Sequence, residues 1–238
     1  MASACWASLL GGCAGGITAE HVVSRSLLGG SASVRGMAWC PEFRTIGVAG
    51  LTVRCLCKAH NSALSPCDQE ARRFGDVLDW MMSDFQPPDA SDRVEFLSGH
   101  LLTRWFCKTA CNVAAVESRT PPLPFVRYAF SAQDDPSVHV YLLKPSSGKV
   151  VLDSARYAIE WLQHKSDPSG VFVIFWFRGL AWVIGTRPAE AAGGSLDDLV
   201  RASGVEPLEY VGRPSEIGVT KNVAGVGEVA AGRVVVRW

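Results

Sequence analysis

The stretches "TAEHVVSRSLLGG" (residues 18–30) and "CLCKAHNSALSPCDQEA" (55–71) decide how the front of this chain is read. The first sets an acid and an imidazole, Glu20 and His21, side by side. The second holds Cys57 and His60 at Cys-x-x-His spacing, with Asn61 directly after and Asp68 a further turn or two along. A structural zinc takes four thiolate or imidazole ligands as short-spaced pairs, because each pair closes one tight loop around the ion. Cys57 and His60 form such a pair, and Cys5 and Cys13 supply a second with a wider gap. Cys40 and Cys67 stand as substitutes. Cys55 is a weaker candidate, since an extended "RCLC" turns it to the opposite face from Cys57.

A catalytic divalent ion asks for different donors, oxygen and imidazole, with open positions for substrate. Glu20 and Asp68 offer carboxylates and Asn61 an amide oxygen. His21 projects differently from Glu20 on an extended backbone. Left unmetallated, it is free to take a proton from water, as phosphodiester hydrolysis requires. Each residue also has an ordinary use. Asn61 can cap a helix, Asp68 suits the first turn of one, and His21 can be a plain loop histidine.

Working outward, "LTVRCLC" (51–57) predicts a strand running into the knuckle. From Asp68, "DQEARRFGDVLDWMMSDF" carries Phe74, Val77, Leu78 and Met81 at helical spacing, and "QPPD" (86–89) ends it. Ser91 or Asp92 is placed to cap a long helix over "SDRVEFLSGHLLTRWFCKTACNVAAVE", which "TPPLP" (120–124) closes. Cys107 and Cys111 read as core positions of that helix. "SVHVYLLK" alternates as a strand, "SARYAIEWLQHK" reads as a short amphipathic helix, and "GVFVIFWF" with "LAWVIGT" forms a hairpin about Arg178 and Gly179. "GRVVVRW" closes the chain as a strand. The expected fold class is α+β: a zinc-stapled module over 1–73, a helical connector over 74–119 and an α+β domain over 120–238 with a small, mainly antiparallel sheet.

With 48% hydrophobic and 19% charged residues among 238, the chain has the composition of a globular protein rather than a disordered one. Net charge is zero, which rules out a global field for polyanions, yet residues 1–73 hold seven Lys/Arg against four acids. A basic front module admits a nucleic-acid partner. Six of the eight cysteines fall in the first 70 residues, a crowding that in a reducing compartment favours metal over disulfides. "MASACWASLLGGCAGG" is reminiscent of a secretory or lipoprotein leader cleaved near Cys13. No basic residue precedes its apolar run, however, and glycines break it. No segment reaches the ~20 apolar residues that span a bilayer. The expectation is a cytoplasmic protein with no membrane partner. Abundant Ala, Gly, Val and Arg with little Lys fits a GC-rich bacterial genome.

"TAEHVVSRSLL" followed by "VRCLCKAHNSALSPCDQEA" resembles the HNH endonucleases of the ββα-metal (His-Me) finger superfamily, in an uncharacterised bacterial branch with a Cys-x-x-His-Asn knuckle. Phage Holliday-junction resolvases of this fold carry a similar Cys-x-x-Cys-Asn knuckle. The resemblance implies His21 as general base, with Glu20, Asn61 and Asp68 as ligands of a catalytic Mg²⁺ or similar ion. It implies Cys57 and His60 as one half of a structural Zn²⁺ site and Cys5 and Cys13 as the other. It covers residues 5–73. Two departures stand out: nothing between 22 and 54 matches the family's middle Asn, which orients the base, and the gap from His21 to Asn61 is long. "SGHLLTRWFCKTACN" is similar to a helix that follows this knuckle in uncharacterised bacterial HNH-like proteins. The activity so implied is hydrolysis of DNA, with RNA as a second substrate class and a homodimer as one assembly. A non-catalytic zinc-stapled module that binds nucleic acid or protein is the rival reading.

Overall fold

The computed structural model of the chain describes residues 4–28, 31–35, 39–42, 44–83, 94–145, 156–164, 167–177, 180–188, 208–223 and 227–238. The proposed caps Ser91 and Asp92, the "QPPD" break and the Arg178-Gly179 turn lie outside them. The fold class is α+β, as expected.

The front of the chain is a two-stranded antiparallel ribbon leading into helix. Strand β1 (Ile17–His21) pairs with β4 (Thr52–Cys57), setting Glu20 opposite Val53 and His21 opposite Thr52. Between them come the short helix α1 (Arg25–Leu28) and the strands β2 (Ser31–Arg35) and β3 (Arg44–Gly47). Strand β4 runs directly into α2 (Lys58–Ala63), and α3 (Ser65–Met82) follows with a proline in its first turn. Pro66 there loses no bond, since the first amides of a helix have no partner within it. Phe74, Val77, Leu78 and Met81 form the buried stripe of α3, as their spacing predicts.

Helix α4 (Gly99–Val116) is buried around nearly its whole circumference. Ser98 caps it, its hydroxyl accepting from the Leu101 amide at 3.2 Å. Residues 94–98, expected as the start of this helix, instead form β5 (Val94–Ser98), parallel to the C-terminal strand β12 (Gly227–Arg237), with Phe96 beside Val235. Val94 and Phe96 are residues that suit a pleated surface, and the available β12 edge decides the matter over helical spacing. Helix α5 (Leu123–Phe130) packs on α4 after the proline break.

Strands β6 (His139–Pro145), β7 (Arg156–His164), β8 (Asp167–Phe177), β9 (Leu180–Gly185) and β10 (Leu208–Gly212) follow. With β2 and β3 they form a seven-stranded sheet ordered β10-β6-β9-β8-β7-β2-β3, antiparallel except where β2 meets β7. The β8–β9 hairpin places Phe177 opposite Leu180, as expected. The segment read as a short amphipathic helix is β7. Its apolar positions satisfy either period loosely, and hydrogen bonding to β8 on one side and β2 on the other selects the strand. Strand β11 (Glu216–Val223) completes a three-stranded sheet with β12 and β5.

Aromatic side chains join the large sheet to the helices. Phe106 of α4 lies 5.0 Å from Phe175 and 5.4 Å from Trp182, and Phe74 of α3 lies 5.6 Å from Phe177. Each such ring contributes roughly 1.5–3 kcal/mol by leaving water. One hydrophobic cluster runs from Cys5 through α3 and α4 to Val236, so the front ribbon and the sheets share a core.

Candidate metal centre and acid–imidazole site

Three separate segments bring Cys5, Cys13, Cys57 and His60 together. The backbone at Trp6 runs beside β4, its amide donating to the Cys55 carbonyl at 3.0 Å, which sets Cys5 near the end of that strand. The loop bearing Cys13 turns on glycines in the left-handed region, Gly11 at φ 76° and Gly15 at φ 73°. It docks on the start of α2, where the Lys58 amide donates to the Gly16 carbonyl and the Ala59 amide to the Ala14 carbonyl, both at 3.1 Å. A Cβ on Gly15 would lie 2.8 Å from the Lys58 Cβ, so the close approach also requires glycine. Cys57 is the N-cap of α2 and its sulfur accepts from the His60 amide at 3.5 Å, which closes the knuckle.

The four ligand atoms lie within 4.8 Å of one another. From His60 Nδ1 the sulfurs of Cys57, Cys5 and Cys13 stand at 3.2, 3.3 and 3.6 Å. Tetrahedral zinc, with bonds of ~2.3 Å to sulfur and ~2.0–2.1 Å to nitrogen, sets such S···N edges at about 3.6 Å. The quartet therefore fits a four-coordinate soft metal such as zinc, filling every position and leaving none for substrate. The amide of His60 lowers the Cys57 thiol to about 6, against the effect of burial. Burial, then the neighbouring Cys5 and Cys57, raise Cys13 to about 11.

The remaining cysteines are spent elsewhere. Cys55 donates to Asn112 Oδ1 at 3.4 Å, and burial pushes it up to about 12. Cys67 donates to the Leu64 carbonyl at 2.8 Å and is likewise pushed up to about 12 by burial. Cys40 donates to the Glu42 carbonyl at 3.4 Å. Cys107 and Cys111 are buried in α4, as expected for core positions, and burial holds both thiols neutral.

The residues expected to hold a catalytic ion are arranged differently. Glu20 and Asp68 do converge, but on the ammonium of Lys108. Its Nζ lies 2.7 Å from Glu20 Oε1 and 2.7 Å from each oxygen of Asp68. Lys108 is 1% exposed. Burial works against its charge, yet Asp68 and Glu20 outweigh that and hold its pKa above the ordinary 10.5. Asp68 also accepts from the Ser24 hydroxyl, which in turn accepts from Trp105 Nε1 at 2.8 Å. The amide of Asn61 is engaged with Thr18, donating to its hydroxyl at 3.1 Å. Glu20 and Asp68 thus meet at Lys108, while Asn61 bonds Thr18. Among the described residues, the one group of three or more Cys, His, Asp or Glu ligand atoms close enough for a metal is the cysteine–histidine quartet.

His21 ends β1 with its ring partly exposed, while Nδ1 is buried and has no hydrogen-bond partner. Its main chain is fixed from an unexpected quarter. Asn112 Nδ2 on α4 donates to the His21 carbonyl at 3.1 Å, and Asn112 Oδ1 accepts from Trp6 Nε1 at 3.1 Å. Positions 22–54 hold no asparagine; the one that bonds the His21 main chain, Asn112, lies on α4. Lys108 and Asn112 escaped the sequence reading because nothing marks them within an apolar helix except their polarity on one face, one turn apart.

A second polar cluster lies at the other end of α4. Tyr128 donates to Asp134 Oδ1 at 2.6 Å, His100 Nδ1 lies 3.1 Å from the same oxygen, and Arg213 donates to Oδ2 at 2.6 Å. Burial works against ionisation of Asp134, but these donors outweigh it and hold the carboxyl below its ordinary value. His100, given no role by its sequence context, is part of this network. Asp134 and Arg213 line a cleft of about 500 Å³.

No helix among the described residues is long and apolar enough to cross a membrane. Compared with family models, curated proteins and solved structures, the chain matches none.

Proposed function

We propose that the chain is a zinc-stapled ββα module of the HNH kind that hydrolyses phosphodiester bonds in DNA, with His21 as general base. The observation that supports this reading is the path of the chain. An acid–imidazole pair ends β1, β1 lies antiparallel to β4, and β4 runs straight into the helix that carries the knuckle histidine and Asn61. Zinc on Cys5, Cys13, Cys57 and His60 would tie the N-terminal loop, β4 and α2 together and hold the ribbon against the helix. The partly exposed ring of His21 is available to a water molecule, and Asn112 holds its backbone. Exposed Arg25, Arg44 and Lys58 give the module a surface suited to phosphate.

The divalent ion that the resemblance implies on Glu20, Asn61 and Asp68 does not fit the contacts these side chains make, and no step is assigned to it. One observation favours a second reading, a nucleic-acid-binding module without cleavage: the Lys108 ammonium between the two carboxylates. A plasmid-nicking assay separates the two. Zinc-loaded protein is incubated with supercoiled DNA, with and without Mg²⁺ or Mn²⁺, beside His21→Ala of equal zinc content. Nicking lost in the variant supports hydrolysis by His21. Equal nicking by both proteins ends that assignment, and DNA binding without nicking by either supports the second reading.

A further inference from the structure

We propose that Lys108 is a built-in cation that closes the Glu20–Asp68 pair to divalent metal ions. Three carboxylate oxygens surround Nζ at 2.7 Å, the place from which a single cation would serve both acids. A magnesium ion needs oxygens at ~2.0–2.1 Å in near-octahedral array and keeps several waters, so it cannot share that space with an ammonium. Nor can the ammonium readily leave. Its side chain is 1% exposed, and α4 is buried on nearly every side around it. Swung away, it would be a buried charge without a partner. Asp68 is also anchored from behind, through Ser24 and Trp105. Lys108 therefore does for the two carboxylates what a bound ion would do: it neutralises part of their charge and fixes where they point. Glu20 is locked next to His21 without any metal having to bind. The inference holds whether or not the module cuts DNA, because it concerns the occupancy of the acid pair alone.

The test is metal binding to the zinc-loaded full chain, read from loss of the free Mn²⁺ signal in electron paramagnetic resonance. The wild-type protein is expected to bind no Mn²⁺ that Glu20→Gln removes. Lys108→Ala, which leaves the two acids facing a space, is expected to gain one Mn²⁺ site, weakened about tenfold or more by adding Glu20→Gln. Mn²⁺ should raise the melting temperature of Lys108→Ala and leave that of the wild type unchanged. A stoichiometric Mn²⁺ on the wild type that disappears in Glu20→Gln overturns the proposal, and so does a folded Lys108→Ala that takes up none. If Lys108→Ala does not fold, Lys108→Gln, which keeps most of the volume, is scored by the same two outcomes. Failure of DNA cleavage leaves these readings untouched.

Discussion

Lys108 and Asn112, one turn apart on α4, hold the two neighbours Glu20 and His21 by different handles: Lys108 takes the Glu20 carboxylate, and Asn112 takes the His21 carbonyl. A helix from the middle of the chain thereby sets the geometry of a dipeptide near its start. The 74–119 segment, expected as a connector, supplies polar side chains to the front module.

Asn112→Ala is expected to destabilise the protein strongly for its size. Asn112 is fully buried, and it satisfies the His21 carbonyl, the Trp6 indole N–H and the Cys55 thiol. Each buried polar group left unpaired costs about 1–3 kcal/mol, so three together should cost roughly 3 kcal/mol or more, seen as a lower urea midpoint. A midpoint within error of the wild type would mean the three groups find other partners.

Lys108 imposes a pH dependence whose sign follows from its raised pKa. An ammonium with a folded pKa above the unfolded 10.5 adds stability that is complete below 10.5 and is lost as pH rises through the folded value. Wild-type stability should therefore show no Lys108 contribution to its slope at neutral pH and a fall in strong alkali. Lys108→Met leaves the partly buried Glu20 and the Ser24-bonded Asp68 facing each other without their cation and should lower stability at pH 7. Urea melts across pH on both proteins give the comparison, and a Lys108→Met profile parallel to the wild type would refute it.

These two residues also show where the sequence stops being informative. The Cys57-x-x-His60 pair was legible because metal geometry demands short spacing, and Cys5 and Cys13 were legible as its complement despite their wider gap. Helix α3 was legible because its buried stripe follows one period. Strands β5 and β7 were not. "VEFLS" and "RYAIEWLQH" carry apolar residues that satisfy two periods, and the edge of β12 or β8 chooses between them. Lys108 and Asn112 were illegible for a different reason. Their partners lie 40 to 106 residues away, and local spacing carries no record of such pairs. Glu20 and Asp68 were expected to share a divalent ion with Asn61; they meet at the Lys108 ammonium instead, and Asn61 bonds Thr18.

Gly15→Ala should weaken metal binding without touching a ligand. The residue sits at φ 73°, where a side chain is strained by roughly 1–2 kcal/mol, and its new Cβ would press on Lys58 at 2.8 Å. Relief means shifting the loop that carries Cys13 away from α2. The expected result is zinc held about tenfold or more less tightly in a chelator competition, with the fold retained when zinc is in excess. Gly16→Ala is the control, since a Cβ there meets nothing within 4 Å and its φ is not in the left-handed region. Equal affinities for the two variants would sink the argument.

Removing the metal should loosen the front of the molecule before the rest. The quartet lies where the N-terminal loop, β4 and α2 meet, and three thiols beside one imidazole repel one another as they ionise. Zinc content should be one ion per chain. Cobalt in its place should give the visible absorption of a tetrahedral thiolate site, and Cys57→Ser or His60→Ala should abolish it. After chelation, amide hydrogens of β1, β4 and α2 should exchange faster. Those of β8 and β9, buried among the aromatic rings of α3 and α4, should stay protected. Uniform loss of protection would show instead that the metal holds the whole core together. Unchanged exchange in β4 and α2 would show that the quartet does not staple the module.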